Sequence, residues 1–65
     1  MSPDLTEAEW RRLRHDLRTP LTIITGFAEF LAADRQISDA DRREYAARIQ
    51  EAAEEIRALL DDALE

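Results

Sequence analysis

A single histidine, His15, sits among charged and hydroxyl-bearing neighbours: Arg14, Asp16, Arg18, Thr19 and Thr22, with Pro20 interrupting them. A neutral imidazole has one ring nitrogen free as a nucleophile while the other carries the proton, so it can attack phosphorus directly. Asp16 beside it can accept a hydrogen bond from that N–H, fix the tautomer and take up the proton as charge develops. Arg14 and Arg18 are near enough in sequence to screen an incoming phosphoryl group. Thr19 lies one helical turn past His15, at i+4. Each residue also has a plainer reading. A lone surface histidine is usually inert, Asp16 can pair with a nearby arginine, and the arginines can be a solvated face. Thr19 can cap a helix that restarts with Pro20 as its first residue.

Long helices must carry these residues. Thr6-Glu7-Ala8-Glu9 fits a capping box, and Leu5 and Trp10 occupy the two positions of a hydrophobic staple. Ser2 followed by Pro3 is a weaker alternative start. Trp10, Leu13, Leu17, Ile24, Phe27 and Leu31 then recur at spacings near 3.5, a coiled-coil-like seam. Pro20 holds the one slot without a regular apolar residue, beside Leu21. The pattern stops near Ala33, and Asp34-Arg35-Gln36-Ile37 reads as a short connection. Ser38, with Asp41 three residues later, reads as a second N-cap. A second seam follows through Tyr45, Ile49, Ala52, Ile56, Leu59 and Ala63, widened by Ala53 and Leu60. The spacing predicts one helix over about 6–33, a loop over about 34–38 and a second helix over about 39–64. Each helix spans roughly 40 Å at about 1.5 Å per residue. Equal lengths and a short loop predict an antiparallel hairpin, with residues 1–65 as one all-α domain. Folding about residues 35 and 36 sets His15 near the level of Ile56 and Arg57.

Composition narrows the setting. A chain of 65 residues buries little core and usually needs disulfides, a metal or a partner. Without cysteine, and with one histidine, it can build neither a disulfide framework nor a Cys/His cluster. Association remains. Two hairpins make a four-helix bundle in which every seam is covered, so a homodimer is expected. No apolar run approaches the roughly 20 residues of a membrane span, and the start lacks a secretory signal. A cytoplasmic location without membrane contact is expected. The net charge of −6 argues against nucleic-acid binding. Arg11, Arg12, Arg14 and Arg18 crowd the first third, and Glu51, Glu54, Glu55, Asp61, Asp62 and Glu65 the last. In a hairpin the two blocks face each other, unless they are merely two solvated faces.

His15-Asp16-Leu17-Arg18-Thr19-Pro20-Leu21-Thr22 resembles the H-box of bacterial sensor histidine kinases of the HisKA type. The continuation Ile23-Ile24-Thr25-Gly26-Phe27-Ala28-Glu29-Phe30-Leu31 is similar to that family's first helix, including its Gly and aromatic pair. The resemblance covers the whole chain and is most specific over residues 15–31. It implies a dimerisation and phosphoacceptor module in which His15 receives phosphate from an ATP-binding kinase domain, in cis or in trans. His15 then passes it to an aspartate of a response regulator's receiver domain. It further implies that Asp16 is the acid/base, that Thr19 holds a water for dephosphorylating the regulator, and that Pro20 marks a helix bend. Ile23, Gly26 and Phe30 are the expected partner-binding residues; the alternative is that Ile23 and Phe30 merely widen the bundle core. By the fold-back register Arg48 and Arg42 lie opposite Ile23 and Phe30, rimming an apolar pair with charge.

The sequence departs from a complete kinase in having one Gly, no Lys and no Gly-rich loop, so ATP and Mg2+ are expected on other domains and no cofactor on this chain. Enzymatic activity is expected in the full-length context and not of the isolated chain. Acidic residues at a helix C-terminus without a Gly cap suggest an excised domain. Two other readings stand beside this one. A purely structural dimerisation hairpin accounts for both seams but not for a mid-helix proline beside an exposed His-Asp pair. A stand-alone phosphotransfer or adaptor protein would carry the same H-box.

Overall fold

A computed structural model describes residues 5–33 and 36–64 of the chain. They form two α-helices of equal length, α1 over Glu7–Ala32 and α2 over Asp39–Leu64, packed side by side as a hairpin. The alternative start at Ser2-Pro3, the loop residues Asp34 and Arg35, and the terminal Glu65 lie outside the described residues.

Local chemistry sets where each helix begins. The Thr6 N–H donates to Glu9 Oε1 at 2.8 Å, and the Glu9 N–H donates to Thr6 Oγ1 at 3.1 Å. This reciprocal capping box satisfies two of the donors that a helix start leaves unpaired. Ser38 does half as much for α2, with Oγ accepting from the Asp41 N–H at 3.0 Å. α1 ends with Ala33 in an extended conformation, its N–H donating to the Glu29 carbonyl. Helix α1 runs through Pro20 without a break, so Thr19 does not cap a restarted helix. Having no N–H, Pro20 leaves the Asp16 carbonyl without its intrahelical donor.

Both seams meet along the hairpin. Leu13 and Ala52 are buried, the Pro20 side chain is fully enclosed, and Leu17, Ile24, Phe27, Ile49, Ile56 and Leu59 are half-buried. Leu13 and Leu59 border one hollow between the helices, and the ring centroids of Phe27 and Tyr45 lie 5.2 Å apart near the loop. Both pairings place the fold-back near residue 36 and His15 level with Arg57. A molecule of 47 × 16 × 16 Å is only two helices thick and cannot enclose a core. Trp10, Leu21, Ile23, Phe30, Leu31 and Leu64 are left exposed.

The charged blocks face each other as expected, Arg12 and Asp62 bordering one hollow, but facing does not become ion pairing. Among the described residues every ion pair is formed within one helix: Arg12–Asp16 and His15–Asp16 on α1; Arg42–Asp39, Arg48–Glu44, Arg48–Glu51 and Arg57–Glu54 on α2. The i,i+3 and i,i+4 spacings bring these side chains within reach at little ordering cost, whereas a pair between helices must reach across the apolar seam. Arg57 is held so closely by Glu54 that its guanidinium pKa is pushed up from the ordinary value.

Candidate functional site

The site stands on the outward face of α1, about a third of the way from its start to Ala32. Leu13, buried against α2, fixes the rotation of the helix. Two residues further on, and so about 200° round the helix from Leu13, His15 is turned into solvent with its side chain 85% exposed. Asp16 is intermediate, 39% exposed, because it sits at the edge of the inter-helix hollow. His15 Nδ1 lies 3.5 Å from Asp16 Oδ1. That is long for a hydrogen bond, as is common for reacting groups before substrate arrives. With Nδ1–H directed at Asp16, the lone pair of the neutral ring would sit on Nε2.

Other candidate residues distribute unevenly around this pair. Thr19 is exposed one turn beyond His15, and its hydroxyl makes no hydrogen bond among the described residues. Thr22, by contrast, returns its hydroxyl to the Arg18 carbonyl at 2.9 Å. Arg14 and Arg18 are exposed but line a groove with Leu21, Thr25 and Gly26, separate from the hollow that His15 and Asp16 share with Ala8, Arg11 and Arg12. Arg12 Nε lies 3.9 Å from Asp16 Oδ2. Adjacency in sequence singles out Arg14, yet successive helical residues diverge by about 100°, and the cations sharing the hollow with His15 are those three and four positions earlier.

Ile23 and Phe30 are 37% and 44% exposed. Arg42 and Arg48 are engaged by acids of their own helix, and Phe30 instead stacks on Tyr45, centroids 5.5 Å apart at 28°. Phe27 completes this cluster, 6.1 Å from Phe30. Gly26 is half-buried, and a Cβ built there would meet nothing within 4 Å. Among the described residues no cluster of three or more His, Cys, Asp or Glu is placed to hold a metal, and no helix is long and apolar enough to cross a membrane.

The family model of the His Kinase A (phospho-acceptor) domain matches residues 7–65, from the first residue of α1 to the end of the chain. The chain belongs to the His Kinase A (phospho-acceptor) domain family. No curated protein and no solved structure matches it significantly. This His Kinase A domain is thus a phosphoacceptor and dimerisation module of histidine kinases, the enzymes of two-component signalling, and its helical hairpin is the fold of that family.

Proposed function

We propose that His15 is the phosphoacceptor, that the chain acts as a homodimeric four-helix bundle, and that it relays phosphate from an ATP-binding kinase domain to a receiver-domain aspartate. The observation that carries this reading is the His15–Asp16 pair on an open helix face: one nitrogen directed at a carboxylate, the other facing solvent. ATP and Mg2+ belong to the kinase domain. Nε2 attacks the γ-phosphorus, the N–P bond forms as the bond to the ADP oxygen breaks, and Asp16 stabilises the Nδ1 proton on the ring that becomes cationic. In the second transfer the receiver's carboxylate oxygen attacks, the N–P bond breaks, and the imidazole returns to neutrality. Thr19 serves a third step, holding a water in line with the receiver's aspartyl phosphate. The test is direct: the chain is incubated with a kinase domain and ATP, and the site of the acid-labile phosphate is mapped by mass spectrometry. Label on a residue other than His15 refutes the assignment.

Asp16 and Thr19 should separate two activities of one site. Asp16→Asn lowers the rate of phosphate acceptance by roughly 10²–10⁴, the usual contribution of a positioned acid/base. Thr19→Ala spares acceptance and weakens dephosphorylation of the receiver. Rates of His15 labelling and of receiver dephosphorylation, measured on both variants, check this; equal loss of both activities in both variants assigns them to the fold instead.

Receiver docking is proposed at Ile23, Gly26 and Phe30, on the loop side of His15. Glycine within a helix costs about 1 kcal/mol relative to alanine, and among the described residues no neighbouring group comes within 4 Å of a Cβ built at Gly26. That supports close approach of a partner backbone there. Ile23 makes the cleaner probe, because Phe30 also packs on Tyr45 and its truncation removes an aromatic contact of about 0.5–1.5 kcal/mol. Ile23→Ala should weaken receiver binding in a titration while leaving the melting temperature unchanged. Unchanged binding retires the surface.

A further inference from the structure

We infer that Arg12 is a positioning residue for the phosphoacceptor, acting through Asp16. The inference rests on the reading of His15 as acceptor and adds a residue to it.

The chain of contacts begins at the helix cap. Arg12 has two acids within helical reach on α1, Glu9 at i−3 and Asp16 at i+4. Glu9 is committed, since its Oε1 accepts from the Thr6 N–H at 2.8 Å in the capping box. Asp62 of α2 borders the same inter-helix hollow as Arg12 and Asp16, but the ion pair formed is with Asp16, Nε to Oδ2 at 3.9 Å. The two oxygens of Asp16 are thereby divided: Oδ2 faces the guanidinium and Oδ1 faces His15 Nδ1. A carboxylate drawn toward a cation at one oxygen is biased in how it presents the other. Arg12 therefore favours the rotamer in which Asp16 holds the proton on Nδ1 and leaves Nε2 to attack.

As an exposed pair this contact adds little stability, so its removal leaves the fold intact. The test compares Arg12→Gln and Arg12→Lys with the wild-type chain in two readouts. The first is the fraction of neutral His15 carrying its proton on Nδ1, read at alkaline pH from the ring nitrogen shifts of the 15N-labelled chain. The second is the rate of His15 phosphorylation by a kinase domain supplied with ATP. In Arg12→Gln the Nδ1–H fraction falls toward that of an unpartnered histidine side chain and the rate drops roughly fivefold, the scale of one exposed ion pair. Arg12→Lys recovers part of both, since an ammonium supplies the charge without the planar fork. An unchanged tautomer fraction in Arg12→Gln overturns the inference, whether or not the rate falls, because Arg12 then does not act through Asp16. A wild-type chain that takes no label on His15 refutes the acceptor reading instead, and the tautomer comparison still decides the role of Arg12.

Discussion

Replacing His15 with glutamine should abolish phosphate acceptance while leaving the helical hairpin and any association unchanged. The side chain is 85% exposed, so truncating or replacing it disturbs no packing. Glutamine retains polarity and helix propensity but has no nucleophilic nitrogen, its amide lone pair being delocalised into the carbonyl. The chain has one histidine and no cysteine, and its hydroxyl groups would need a base to become comparable nucleophiles. The measurement is radiolabel transfer from a kinase domain and ATP, with circular dichroism and sedimentation run in parallel. The wild-type product should be lost in acid and on hydroxylamine treatment, as a phosphoramidate is. Labelling of His15→Gln at the wild-type rate would place the acceptor elsewhere.

The signals that are local in sequence were also the ones most plainly legible. The Thr6 and Ser38 caps depend on residues three apart, and both form as their spacing requires. The seams depend on periodicity, and their members Leu13, Ala52 and Pro20 are the residues that the hairpin buries. Side-chain direction was harder to read. Arg14 and Arg18 flank His15 in sequence, but helical rotation sends them to another groove and brings Arg11 and Arg12 to the histidine. The spacing of Arg12 to Asp16 was available as a signal, since i,i+4 pairs of opposite charge are neighbours on any helix. Phe30 shows a different limit. Its level on the hairpin pointed to Arg42, yet long aromatic rings reach diagonally, and Tyr45 near the seam offered a face to stack on while Arg42 was held by Asp39. The charged blocks face each other, as Arg12 and Asp62 at one hollow show, but do not pair, because acids within one turn outcompete those across an apolar seam.

Ile49→Asp should unfold the chain and dissociate its assembly together. Ile49 is half-buried on the α1-facing side of α2, one turn from Tyr45 and one from the buried Ala52. In a lone hairpin a carboxylate there keeps partial access to water. In a four-helix bundle the second copy closes over the seam, and an unpaired carboxylate loses several kcal/mol of hydration without compensation. The described arrangement offers no rescue, because Arg48 beside it is already engaged by Glu44 and Glu51 and points to the exposed side. The penalty counts twice in a symmetric dimer, since both copies carry the substitution. Only Leu13, Ala52 and Pro20 are buried among the described residues of one hairpin, and Trp10, Leu21 and Leu64 stay exposed. A fold with so little core of its own should depend on association, so that losing the proposed dimer also loses the helices. Sedimentation equilibrium and far-UV circular dichroism at several concentrations should show a wild-type dimer whose melting temperature rises with concentration, and an Ile49→Asp chain that is monomeric and largely unfolded. Gln50→Asp, one residue away on the exposed side, controls for the added charge and should melt within a few degrees of wild type. A folded wild-type monomer with a concentration-independent melting temperature would show instead that two helices suffice.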